Sequence, residues 1–229
     1  MHDSQYSSQF SPDPSEYHRQ VPSFKNVKGR RNPKENIWFF DSPKNDQRFT
    51  IATDLLFINV ILLEGDVDVS RYVFAASSDE PTIRVYRQDG EAQWWDVKHS
   101  KRVREYSKGS VAAAQVETLK LSAAAAGATY VLKTERDIRG KEILFDNWLN
   151  LCSAITRCRT MSTEVEAVAL KEAFIGQPSL PLSELLRLPD TDPAHMLALV
   201  ALSLQGGQLR TDLDGQLFGP RSILTRRYV

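Results

Sequence analysis

The sequence predicts a mixed α/β fold with one main sheet, and three observations support this class. Residues 81–98 alternate apolar and polar side chains around a turn sequence, which is typical of a β-hairpin. A helical stretch, a short apolar strand and a second helical stretch follow between residues 110 and 157. An apolar stretch at residues 55–63 precedes the hairpin and predicts a helix packed on the sheet. Hairpin, helix, strand and helix in this order form an α/β unit with a mixed sheet.

The hairpin carries the most chemical information. Its first strand begins near Pro81, and Gly90 can adopt the positive φ that the turn between the strands requires. Strand alternation places Asp96 and Lys98 on the same face of the second strand. A carboxylate can hold a divalent cation and a lysine can orient or deprotonate a water, so this pair is half of a metal-dependent phosphodiesterase site. The alternative is that the pair is only the solvated face of an edge strand.

The elements after the hairpin have recognisable ends. A helix is predicted over residues 110–126, where Gly127 is placed to stop it. A strand is predicted over residues 129–132, and a second helix over residues 140–157. A basic run between the hairpin and the first helix is a candidate for DNA contact or a solvated charge run, and consists of Lys101, Arg102, Arg104 and Lys108.

Three blocks of the chain, in a fixed order over about residues 50–160, point to a family. The first runs from Thr-Asp-Leu-Leu at 53–56 to Leu-Leu-Glu-Gly-Asp-Val-Asp-Val at 62–69, and the second is the hairpin. The third covers residues 125–149 and contains Thr-Glu-Arg-Asp-Ile-Arg. In order and spacing these blocks resemble the TnsA-type endonuclease subunits of heteromeric transposases. The resemblance implies a restriction-endonuclease-like fold for residues 49–160 and a bacterial, cytoplasmic protein of DNA transposition.

The resemblance also implies which positions form the site. The glutamate of the family's helix falls on Leu56, and the aspartate of its first hairpin strand falls on Thr82. The third metal ligand falls on Asp96, and the family's lysine falls on Lys98. Two of the three ligand positions are therefore degenerate. We expect one carboxylate and one hydroxyl to bind Mg²⁺ poorly, because Mg²⁺ favours carboxylate oxygens.

An active enzyme would need metal ligands at other positions of the chain, which we call migrated ligands. Asp79 and Glu80 directly precede the hairpin, and Glu64 or Asp66 ends the preceding helix, so each could replace a missing Mg²⁺ ligand. The other interpretation treats them as solvated turn acids, and the enzyme assignment stays open. The leading hypothesis is a TnsA-like subunit that positions transposon-end DNA with lost or weakened nuclease chemistry. The alternative is an active Mg²⁺-dependent endonuclease that nicks transposon ends.

The two ends of the chain differ from the central region. Residues 1–48 are polar and without periodicity, which predicts an irregular arm. Its basic segment is a second candidate for DNA contact, and consists of Lys25, Lys28, Arg30, Arg31 and Lys34. Residues 161–229 predict short helices followed by a hairpin with strands at 208–213 and 216–218, which is the layout of a winged helix. Its third helix, at 195–204, has no lysine or arginine, so we expect it to contact protein rather than DNA.

Composition limits the remaining possibilities. The chain of 229 residues has 29 basic and 29 acidic residues, so any electrostatic DNA footprint must be local. Its two cysteines and four histidines lack the spacing of a zinc site. No apolar run approaches the length of a membrane span. The resemblance implies as partners double-stranded DNA at transposon ends, a TnsB-like DDE transposase and, through the C-terminal domain, a TnsC-like AAA+ regulator.

Overall fold

The computed structural model describes residues 36–75, 80–104 and 111–227. Its first element is an antiparallel hairpin of β1 (Ile37–Ser42) and β2 (Gln47–Ala52). Residues 36–48 are therefore not the loop-like end of an arm, as the sequence predicted. The apolar run of β1 pairs with β2, and Phe40 and Ile51 are buried in the core. The remainder of the arm lies outside the described residues.

Helix α1 (Asp54–Gly65) confirms the helix predicted before the main hairpin. The hydroxyl of Thr53 accepts the N–H of Leu56 at 3.3 Å and so caps the first turn. Ile61 and Leu63 are fully buried, whereas Leu62 is only half-buried. Helix α1 is apolar around most of its circumference because several elements pack against it.

The main sheet has four strands, β3 (Val69–Phe74), β4 (Ile83–Arg87), β5 (Ala92–Val97) and β6 (Ala128–Lys133), in the order β3-β4-β5-β6. Strand β4 is antiparallel to both β3 and β5, and β6 is parallel to β5. The sheet is therefore mixed, as predicted. The connection from β5 to β6 contains α2 (Ser100–Arg104) and α3 (Val111–Ala125). The predicted hairpin, the helix after it and the following strand are confirmed.

Helix α4 (Glu142–Cys158) follows β6 and packs against α1. The two helices approach closely at Gly65, where an added Cβ would lie 2.1 Å from the indole nitrogen of Trp148. Glycine at this position therefore allows the indole to sit against the end of α1. Trp148 is buried in the same hydrophobic core as Ile61 and Tyr72.

The C-terminal part contains α5 (Glu164–Ala173), β7 (Ser179–Pro181), α6 (Leu182–Leu185), α7 (Pro193–Gln205), β8 (Leu209–Arg210) and β9 (Ile223–Arg226). The strands form an antiparallel sheet in the order β7-β9-β8. The predicted strand at 216–218 is wrong, because β8 pairs with β9 and residues 216–218 lie in the loop between them.

A side chain on α4 holds this loop. Asn147 donates its amide to the carbonyl oxygens of Leu213 and Gln216, each at 2.8 Å. Its side-chain oxygen accepts the N–H of Phe218 at 2.7 Å. Two of these bonds engage backbone groups, of Gln216 and Phe218, that a strand at 216–218 would have used for pairing. Among the described residues, no helix has the length and apolar character needed to cross a membrane.

Candidate functional site

The turn into β4 and the end of β5 bring Thr82 and Asp96 together. The register pairs Ile83 with Trp95, so the residue before β4 reaches the residue after Trp95. The Thr82 hydroxyl donates to Oδ1 of Asp96 at 3.3 Å and accepts the N–H of Val97 at 3.1 Å. Thr82 and Asp96, two of the positions at which the resemblance implies metal ligands, thus lie side by side in the structure.

Asp96 is the centre of this cluster. Its carboxylate is 5% exposed, and its Oδ2 lies 2.6 Å from Nζ of Lys98. The hydroxyl of Tyr130, on the parallel strand β6, donates to the same oxygen at 3.0 Å. The prediction that Asp96 and Lys98 share a face is confirmed. The alternative of a solvated edge strand is wrong, because β5 lies inside the sheet and Asp96 is buried.

Leu56, the other position at which the resemblance implies a metal ligand, lies on α1. Its half-buried side chain packs against the hydrophobic core. A hydrocarbon at this position contributes packing and no oxygen for a cation. The arrangement around Asp96 therefore contains a carboxylate, a hydroxyl, a phenol and an ammonium.

Glu64, proposed as a migrated ligand, lies in a different cluster. Oε1 accepts the hydroxyls of Ser42 and Tyr72, the latter at 2.6 Å. Oε2 accepts the backbone N–H of Lys44 and the Gln205 amide, each at 3.0 Å. Burial raises the pKa of Glu64, although the four donors favour the ionised form. The carboxylate is engaged on both oxygens and joins the β1–β2 hairpin, the sheet and α7.

Lys44 belongs to the same buried cluster as Glu64. Its ammonium donates to the carbonyl oxygens of Asp66 and Val69 at 2.6 and 2.8 Å. Burial lowers its pKa, since a buried ammonium loses hydration. The thiol of Cys152 has a raised pKa for the same reason, burial, reinforced by the charge of Glu64. No local pattern in the sequence indicates this cluster, because Ser42 and Lys44 fall within the predicted arm.

The remaining candidate ligands are placed as follows. Glu80 forms an ion pair with Arg84 at 3.1 Å. Asp79 lies outside the described residues. Within the described part of the chain, no group of three His, Cys, Asp or Glu residues could hold a metal ion. Around Asp96, the ammonium 2.6 Å from Oδ2 competes with any cation. The described donor set therefore fits Mg²⁺ poorly.

The predicted DNA contacts are only partly described. Lys101 is exposed on α2, and the same short helix carries Arg102 and Arg104, whose side chains are outside the described set. The following candidates lie wholly outside the described residues: Lys25, Lys28, Arg30, Arg31, Lys34 and Lys108.

Glu135, which the sequence singled out only as part of a motif, anchors the start of α2. It accepts the N–H of Ser100 at 2.8 Å and the Ser100 hydroxyl. These hydrogen bonds lower the pKa of Glu135 to about 2. The basic helix is thereby tied to the segment after β6. In the sequence, Glu135 is marked only by its place in the Thr-Glu-Arg-Asp-Ile-Arg motif, which follows the predicted strand at 129–132.

No protein-family model, curated protein or solved structure matches this chain. The chemistry of the site is therefore judged from its own residues and their geometry.

Proposed function

We propose that this chain is a TnsA-like subunit of a DNA transposition complex, with lost or weakened nuclease chemistry. The observation that carries the proposal is the meeting of Thr82, Asp96 and Lys98 on one hairpin. A threonine stands beside the buried aspartate where the resemblance implies a second carboxylate. The lysine is present, and it pairs with the carboxylate.

The topology supports the same proposal. Helix α1 leads into three antiparallel strands, and a helical crossover returns to β6, parallel to β5. This order agrees with the restriction-endonuclease-like fold that the resemblance implies. The site residues lie where β4 begins and β5 ends, so they share one end of the hairpin.

The chemistry of the cluster favours DNA positioning over DNA cleavage. Hydrolysis in this class of site uses metal-held water, and metal sites of this kind need several oxygen ligands. The described cluster offers one carboxylate, already paired with Lys98. A cationic surface around such a cluster can still bind the DNA backbone, which requires positive charge and no metal.

The C-terminal part supports a role in bridging proteins. Helices α5, α6 and α7 with a β7-β9-β8 sheet agree with the winged-helix-like layout expected from the sequence. In α7, the position of a recognition helix, Met196, Val200 and Ala201 are fully buried. The helix carries no lysine or arginine, so it is a poor reader of a major groove. We infer that this domain contacts the TnsB-like transposase or the TnsC-like regulator.

Reconstitution tests the proposal. The chain is combined with the transposase that an adjacent gene encodes, and with DNA that carries the transposon ends. We expect a complex on end DNA, and no nicking of that DNA when Mg²⁺ or Mn²⁺ is added to the chain alone. Metal-dependent nicking that Asp96→Ala abolishes would establish the active endonuclease instead. Asp79 would then be the first ligand to test.

A further inference from the structure

Two arginines lie over aromatic rings on adjacent strands of the main sheet. Arg71 on β3 is the cross-strand partner of Tyr86, and its guanidinium carbon lies 4.1 Å from the ring centroid. Arg84 on β4 is the partner of Trp94, at 5.0 Å. Cation–aromatic contacts of this kind orient the guanidinium plane.

Both pairs lie on the sheet face that carries the candidate site. Residues two apart on a strand share a face, and so do direct cross-strand partners. Thr82, Arg84 and Tyr86 therefore line one face of the β4 region. Asp96 joins the same face two residues after Trp94. We call Arg71, Arg84, Tyr86 and Trp94 the arginine–aromatic face.

We propose that the arginine–aromatic face binds the phosphate backbone of one DNA strand and leads it toward Lys98. This inference rests on the proposed function and identifies the surface that would position the DNA. Arg71 is exposed on the edge strand β3, and about a third of the Arg84 side chain is exposed. Diagonal neighbours of this kind on adjacent strands lie about 7 to 8 Å apart, so the two guanidinium groups can contact separate phosphates.

Charge and geometry identify the occupant as a phosphate backbone. Guanidinium groups match phosphate oxygens through two parallel N–H bonds, which an ammonium cannot reproduce. Glu80 pairs with Arg84 at 3.1 Å, but an exposed pair is weak and a phosphate can replace it. Asp96 is already paired with Lys98, so its charge does not repel an approaching strand strongly.

The test is DNA binding by fluorescence anisotropy over a salt series, with labelled double-stranded oligonucleotides. The variants are Arg71→Ala, Arg84→Ala and the double variant, and the control is Arg187→Ala, an exposed arginine in the C-terminal part. Each arginine lost from the face should reduce the slope of log affinity against log salt by about 1. The control should keep the slope of the unmodified chain.

A second variant separates an oriented arginine from a mere positive charge. Tyr86→Leu keeps every cation, so we expect the salt slope to persist while affinity falls. An unchanged slope in the double variant, with DNA binding intact in the unmodified chain, would overturn this inference alone. Failure of the unmodified chain to bind DNA at low salt would overturn the proposed function together with it.

Discussion

The ammonium of Lys98 lies 2.6 Å from Oδ2 of Asp96, and only 5% of the aspartate side chain is exposed. A buried carboxylate needs compensation for the hydration it loses, and here an ammonium and two hydroxyls supply it. The cluster is therefore stable without a metal ion. Under the proposed function, this explains how a nuclease site that lost its other carboxylates could persist as a structural element.

Replacement of Asp96 should destabilise the fold through this cluster. Asp96→Ala leaves the ammonium of Lys98 and the hydroxyl of Tyr130 without their carboxylate, and we expect a loss of about 1 to 3 kcal/mol. Asp96→Asn is the matched control, since its amide oxygen can still accept hydrogen bonds, and it should cost less. Urea unfolding of the three proteins measures both values. Equal stability of all three would contradict this role.

Under the proposed function, carboxylates introduced at positions 56 and 82 should create a metal site. The Thr82 hydroxyl is 3.3 Å from Oδ1 of Asp96, so Thr82→Asp places a second carboxylate beside the first. Combined with Leu56→Glu, it should give measurable Mg²⁺ or Mn²⁺ binding by calorimetry, provided that α1 and the hairpin face each other as the resemblance implies. Repulsion among the acids should lower stability when no metal is added.

The control for this experiment is Thr82→Val combined with Leu56→Glu. It keeps the new glutamate but lacks the second carboxylate, so it should bind the metal ions more weakly. If the Thr82→Asp, Leu56→Glu protein is folded and releases no heat with either ion, the assignment of these positions fails.

Helix α1 offers a direct test of the core. Ile61 is completely buried, and Ile61→Ala should cost about 2 to 5 kcal/mol because it leaves a cavity. Leu62 is half-buried, so Leu62→Ala should cost less. Chemical denaturation gives both free energies of unfolding. A larger loss at Leu62 would mean that α1 is rotated relative to the sheet.

The sequence predicted the elements whose signals are local. Gly90 in a turn between apolar strands indicated the β4–β5 hairpin, and Gly127 indicated the end of α3. Alternation along β5 placed Asp96 and Lys98 on one face. These patterns depend on neighbours in the chain, and local periodicity records such neighbours.

The sequence did not predict contacts between distant segments. Glu64 binds Ser42 and Gln205, which lie 22 and 141 residues away. The loop between β8 and β9 is held by Asn147, whose partners are 66 to 71 residues away. A buried glutamate and an asparagine in a helix look the same in sequence as their exposed counterparts. Only the folded chain distinguishes them.

Acid should release the anchor of α2. The pKa of Glu135 falls from an ordinary 4.5 to about 2 in the folded chain, since the ionised form accepts both Ser100 bonds. A lowered pKa contributes stability above pH 4.5, and that stability is lost as the pH falls toward about 2. The stability difference between the unmodified chain and Glu135→Gln should therefore shrink over this range. Thermal unfolding at several pH values measures it, and a constant difference would contradict the assigned pKa.

The loop between β8 and β9 should depend on Asn147. Its side chain is buried and makes three hydrogen bonds to the backbone of residues 213–218. Asn147→Ala leaves those groups unpaired, and we expect a loss of about 1 to 3 kcal/mol. Amide hydrogen exchange should accelerate at Phe218, whose N–H loses its acceptor.

Asn150 provides the control, because its amide donates within α4, to the carbonyl of Asp146, and the residue is exposed. Asn150→Ala should leave both the stability of the protein and the amide exchange of Phe218 nearly unchanged.

If the proposed bridge through the C-terminal domain is correct, Asn147→Ala should also weaken assembly with the partner transposase or regulator, since a loosened loop loses its fixed shape. Unaltered exchange at Phe218 in a folded Asn147→Ala protein would show that other contacts hold the loop.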